Sequence, residues 1–178
     1  MHHYAAMLRA AAAVTLLTAG LLPAWAQPKP SAVTHETAFL RAFEGRFTGT
    51  GQLQQANGSD HNLSCKFSGD NEGSQVVLNG RCSTALIFGT NVRIAIRYDP
   101  KGDRYVGTFR DGGGTVAELV GARRGQTLSF SFTETAESVR PNPPARLTIT
   151  RSSDNIVLSL RGTVPQKGQN IDLVLRES

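Results

Sequence analysis

Apolar residues recur at every second position through most of the chain from residue 46 onward. Side chains of an extended strand point alternately to its two faces, so each such segment has one face to bury and one to wet. Phe47, Gly49, Gly51 and Leu53 share one phase, with Thr48, Thr50 and Gln52 on the other. Leu63, Cys65 and Phe67 alternate with Asn62, Ser64 and Lys66. Val92, Ile94, Ile96 and Tyr98 alternate with Arg93, Ala95 and Arg97. Phe109, then Leu128, Phe130 and Phe132, then Leu147 and Ile149 continue the pattern. Ile156, Leu158 and Leu160, followed by Ile171, Leu173 and Leu175, complete it. The alternation predicts about ten strands, over 46–55, 61–68, 75–83, 91–98, 104–110, 115–123, 126–133, 146–151, 156–163 and 170–176.

The connections carry turn chemistry. Asn57-Gly58 favours a two-residue type I′ hairpin, in which both residues take positive φ. Asp99-Pro100-Lys101-Gly102-Asp103 offers proline at a turn position and Gly102 where φ must be positive. Arg124-Gly125, Asp154-Asn155 and Lys167-Gly168 read the same way, and Gly112-Gly113-Gly114 reads as a hairpin turn. A phosphate cradle there would need a helix after it, and Thr115 begins another alternating run. Only His35 to Glu44 departs from period two: Phe39, Leu40 and Phe43 fall at helical spacing. The expected fold is all-β, an antiparallel up-and-down β-barrel of about 8–10 strands with a short N-terminal helix. A long meander leaves two unpaired edges, and closure removes both. No strand alternates with a long helix, which argues against a parallel α/β sheet.

The first residues read as an address. Arg9 precedes Ala10 to Leu22, which carries no charge, and Ala24-Trp25-Ala26 follows as a small-residue cleavage site. Thirteen residues make a helix of roughly 20 Å, short of the ~30 Å hydrocarbon core. The expectation is a signal peptide over 1–26, a Pro-rich flexible leader over 27–34 and a single barrel domain over 35–178. Met7 gives a tidier start to that signal than Met1. No cysteine lies near the cleavage site to carry a lipid. The mature chain then begins near Gln27 and lacks tryptophan, because Trp25 is the only one. It has no membrane span and is periplasmic or secreted.

Cys65 and Cys82 are the only cysteines. Cys65 is in phase with Leu63 and Phe67, and Cys82 with Leu78 and Gly80. Folding 61–68 back on 75–83 about Asn71 to Gln75 sets the two opposite each other on one face. Exported chains meet oxidising conditions. A cross-strand disulfide is expected, contributing about 3 kcal/mol by closing a ~17-residue loop.

The stretch Phe43-Glu44-Gly45-Arg46-Phe47-Thr48-Gly49-Thr50-Gly51 resembles the entry to a lipocalin-like (calycin) barrel. Those proteins often begin with a short helix and then Gly-x-Trp in the first strand; this chain has Gly45-Arg46-Phe47, with Phe in place of Trp. The resemblance spans most of 36–178. It implies an antiparallel barrel and an apolar ligand, and no catalytic residue. Ten strands also resemble the fatty-acid-binding and nitrobindin-like barrels. The former carry a helical lid between their first two strands, where this chain has only Ala56 to Asp60. The latter hold haem through a late histidine, and no histidine follows His61.

Chemistry-bearing constellations are sparse. His35 and His61 are the mature histidines, and Asp60-His61 beside Ser59 or Ser64 lacks an oxyanion loop or nucleophile elbow. No spacing suits zinc. No catalytic residue, metal or cofactor is expected. Arg93, Arg97, Arg104, Arg110, Arg123, Arg124, Arg140, Arg146, Arg151 and Arg161 fall mostly on the polar phase, as a solvated barrel exterior would have them. Their functional counterpart is an anionic partner such as surface polysaccharide or lipid headgroups. Nucleic acid is not expected, because the aromatics lie on the apolar phase rather than on exposed stacking platforms.

Phe109, Phe130 and Phe132 share the apolar phase of central strands and are the candidate walls of a ligand site. Leu86 and Phe88, in the apolar connection Ala85-Leu86-Ile87-Phe88, are candidates for a plug or portal. Glu134 to Ala145 is the longest connection, and long loops carry function more often than short ones. Gly49, Gly51, Gly80 and Gly107 on the inward phase either leave room for a ligand or permit curvature. The expected function is a non-enzymatic exported barrel that binds a small apolar or amphipathic ligand. The alternative is an envelope protein-interaction module, such as a barrel-type protease inhibitor with residues 27–34 as its arm.

Overall fold

The computed structural model describes residues 31–84, 89–138, 144–163 and 168–178 of the 178-residue chain. A single helix, α1 (Ala32–Arg41), precedes ten strands among them. These are β1 (Gly45–Gln54), β2 (Asp60–Glu72), β3 (Gln75–Ser83), β4 (Gly89–Asp99) and β5 (Arg104–Asp111). The chain continues through β6 (Val116–Arg124), β7 (Thr127–Glu134), β8 (Ala145–Arg151), β9 (Asn155–Gly162) and β10 (Asn170–Glu177). Each strand pairs antiparallel with its sequence neighbours, and β10 pairs with β1 to close the barrel. The expected all-β architecture is therefore present, with neither edge left open.

The alternation places side chains as the strands require. Phe47, Leu63, Cys65, Phe67, Leu78, Ile94, Ile96, Leu119, Leu147, Ile149, Leu173 and Leu175 all point inward and are buried. Cys65 stands opposite Cys82 in the β2–β3 register, and their sulfurs are bonded at 2.07 Å.

Several local readings are corrected. The helix begins at Ala32, with Ser31 as its N-cap accepting from Thr34 N, so Ala32 to Thr34 belong to α1 rather than to a leader. β2 runs on to Glu72, which pairs with Gln75, so the β2–β3 turn is tighter than the sequence implied. At Asn57-Gly58 only Gly58 takes positive φ, 84°. Gln55 N donates to Ser59 O at 2.8 Å, enclosing a three-residue loop instead of a type I′ pair. In the β4–β5 turn the left-handed residue is Asp103 (φ 46°), not Gly102. Short polar side chains tolerate that region when locally bonded, and Asp103 accepts from Tyr98 OH at 2.6 Å. Asp60 and His61 open β2 opposite Gln54 and Leu53, one residue before the expected start at 61.

The inward glycines serve curvature. A Cβ on Gly49, Gly51 or Gly107 would meet the backbone oxygen of Val174, Asp172 or Ala95 at 1.9, 1.9 and 2.0 Å. One on Gly80 would meet the Phe67 ring at 2.2 Å. Their missing side chains let backbone and ring close in, and leave no room for a ligand there.

Candidate functional site

The barrel has two unlike ends. β1 starts at the end that α1 covers, and the turns 73–74, 100–103, 125–126 and 152–154 lie there. Leu40 and Phe43 drop into the interior, and both are buried. Phe39 lies edge-on to Phe43 (5.5 Å) and to Tyr105 (6.4 Å).

Two arginines on the inward phase hold this plug. Arg123 is in phase with Leu119 and Gly121, and Arg151 with Leu147 and Ile149, so neither belongs to the outer face. Arg123 forms a fork to Glu36 of α1, Nε to Oε2 and Nη2 to Oε1, both at 2.7 Å. Its guanidinium lies 4.6 Å from the centre of the Phe39 ring. Tyr105 OH also donates to Glu36. The Arg123 hydrogen bonds hold the Glu36 carboxyl at a pKa of about 2, against the resistance of burial. Burial and the Glu36 carboxylate push the Tyr105 phenol well above its ordinary value. Arg151 Nε donates to Ala42 O at 2.6 Å, fixing the end of the helix, and Arg151 Nη2 reaches Glu177 at 3.1 Å.

The opposite end opens into a cavity of about 460 Å³. Leu53, Val92, Phe109, Phe132, Leu160 and Ile171 form much of its apolar wall, and Cys82 of the disulfide faces it. Polar groups enter at the mouth: Thr90, Asp111, Thr115 and Gln169. Asp111 Oδ1 accepts from Gly113 N and Thr115 N, both at 2.8 Å, and so shapes the β5–β6 turn that forms part of the rim. The glycine run 112–114 is thus a hairpin turn, as its sequence implied.

Of the expected wall residues, Phe109 and Phe132 line this cavity together, with ring centroids 5.1 Å apart. Phe130 does not. It lies two residues nearer the α1 end on the same phase, opposite Gly121 and Leu147, and is 1% exposed in the packed half. Leu86 and Phe88 lie outside the described residues, as do residues 1–30, 139–143 and 164–167. Ser83 and Gly89, which flank the Leu86–Phe88 connection, stand at the open end. Among the described residues no three His, Cys, Asp or Glu side chains gather as metal ligands would. No helix among them is long and apolar enough to cross a membrane. His35 sits on α1 beside Glu36 (3.4 Å) and His61 at the start of β2, so the two histidines are at opposite ends of the barrel.

No family profile matches the sequence, and no curated protein does. Among solved structures, the chain is similar to the crystal structure of Rv2717c from M. tuberculosis. The match has a TM-score of 0.63 at 9% identity and covers 84% of this chain and 99% of that one. At that identity the likeness concerns the fold, which the two chains share over nearly the whole of the other protein.

Proposed function

We propose that this protein is an exported, non-enzymatic barrel of the lipocalin-like kind that holds a small apolar or amphipathic molecule in its open half. The observation that carries the reading is the cavity of about 460 Å³ with apolar walls and polar groups confined to its mouth. Sites for small molecules are commonly concave, mostly apolar and of this size, with a few polar groups fixing orientation. Export is supported by the charged, apolar and small-residue order of residues 9–26 and by the Cys65–Cys82 bridge. The rival reading, an interaction module with an arm over 27–34, loses ground because Ala32 to Thr34 are part of α1.

The test is a titration with the neutral probe N-phenyl-1-naphthylamine. The proposal expects saturable, one-site binding with a blue-shifted emission, weakened by Phe132→Arg at the mouth. No saturable binding by the wild-type protein would overturn it.

A further inference from the structure

On the outer face of β2–β5, away from the ligand cavity's interior, lies a second concavity of about 440 Å³. Four of its lining residues are Lys66, Arg81, Arg93 and Arg110, one from each strand. Lys66 stands directly opposite Arg81 in the β2–β3 register, and Arg93 directly opposite Arg110 in the β4–β5 register. Like charges directly opposite each other destabilise a sheet. Two such pairs on adjoining strands are an arrangement that folding alone disfavours.

Acidic neighbours relieve it only in part. Arg93 reaches Glu72 at 3.3 Å and Asn79 at 3.0 Å, and Arg110 reaches Glu137 at 2.5 Å. Asp111 also borders the concavity, but two backbone N–H groups hold one of its oxygens. Lys66 and Arg81 have no acidic partner within ion-pair distance among the described residues. A third like-charged pair, Arg146 opposite Arg161, shows what relief looks like: Arg161 forks onto Asp172 at 2.6 and 2.7 Å. Asn79 and Asn91 add neutral hydrogen-bonding groups between the basic residues of the concavity.

We propose that this outer groove is a binding site for a ligand carrying two or more phosphate or sulfate groups. Guanidinium forks match the oxygens of such groups in geometry as well as charge. Neighbouring strands are about 4.8 Å apart, so the step from Lys66 on β2 to Arg110 on β5 spans roughly 14 Å. That reach suits linked anionic groups rather than a single one. A free oligophosphate and a phosphorylated lipid headgroup share this chemistry.

The experiment is calorimetric titration of the disulfide-bonded protein with sodium tripolyphosphate at low salt. Binding is expected, weakening as salt rises. Arg81→Gln with Arg93→Gln should lower affinity roughly tenfold or more, since each removes a charge-assisted contact. Arg161→Gln, outside the groove, should leave it unchanged. Arg81→Gln alone should raise the melting temperature, because it relieves repulsion from Lys66 without removing an ion pair. N-phenyl-1-naphthylamine should not compete, which separates this site from the cavity. Sedimentation with vesicles containing phosphatidylinositol 4,5-bisphosphate identifies the source. Vesicle binding that tripolyphosphate displaces supports the site with a lipid ligand, and tripolyphosphate binding without vesicle binding supports it with a soluble one. Absence of tripolyphosphate binding, or equal affinity in the folded double variant, would overturn the proposal.

Discussion

At the α1 end, the inward phase of the strands finishes in Arg123 and Arg151, and the helix supplies partners for both. At the other end, the same phase finishes in Leu53, Val92, Phe132, Leu160 and Ile171, which are only partly buried. Tight turns bound the first end; at the second lie the turns 55–59 and 112–115 and the strand ends Ser83, Gly89, Ala145, Gly162 and Asn170. The strands that form both halves are the same. What separates a packed interior from a hollow one is what closes the end: a helix with a bidentate ion pair in one case, and a rim of turns around apolar walls in the other. The difference teaches that one alternating pattern can supply a core and a cavity in series along a single barrel axis.

Charge insertion should separate the halves most strongly. Phe130→Arg buries a guanidinium in the packed half and is expected to cost several kcal/mol. Phe132→Arg lies two residues nearer the mouth, where the guanidinium reaches water, and should cost about 1–2 kcal/mol. Ser129→Arg, on the outer face opposite the uncharged Ala122 and Thr148, should change stability by under about 0.5 kcal/mol. Thermal melts of the three variants test the order; equal losses at 130 and 132 would break the distinction between the halves.

The next effect concerns the bridge. Replacing Cys65 and Cys82 together by Ala should destabilise by about 3 kcal/mol, read from urea midpoints. Peptide mapping without reductant should recover the two cysteines linked in the wild-type protein.

A smaller effect belongs to the plug. Glu36 titrates at about 2 in the folded chain against an ordinary 4.5. A carboxyl whose pKa is lowered by folding contributes stability above its unfolded value and loses it as pH falls through the folded one. The Glu36 contribution should therefore be complete above pH 4.5 and fade between 4.5 and 2. After allowance for screening at the barrel rim it is about 2 kcal/mol. Glu36→Gln should lower stability by that amount at pH 7, and the gap from wild type should close toward pH 2. A gap that persists unchanged at pH 2 would show that packing of α1, not its ion pair, is responsible.

The strand alternation made the barrel, its face assignments and the Cys65–Cys82 register legible, because period two fixes which side each residue takes. Depth along the barrel axis is not in that period. Phe130 and Phe132 are equivalent by phase, yet one is packed and the other lines the cavity. Arg123 and Arg151 looked external because arginine usually is; their phase, shared with Leu119 and Ile149, was the signal that placed them inside. The pairing of Glu36 with Arg123 joins residues far apart in the chain and depends on where α1 docks, which no local pattern encodes. Ser31, placed in the leader by composition, caps α1 by accepting from Thr34 N; a serine just before the helical run is the signal that could have extended the helix to Ala32.

The division into a packed and a hollow half is tested most directly by methyl chemical shifts recorded while N-phenyl-1-naphthylamine is titrated into the protein. Leu53, Val92, Leu160 and Ile171 line the open cavity, whereas Leu78, Leu119, Leu128 and Ile156 lie in the packed interior. The first group should shift saturably with the probe and the second should stay in place. Equal shifts in both groups, or shifts confined to the second, would contradict the account.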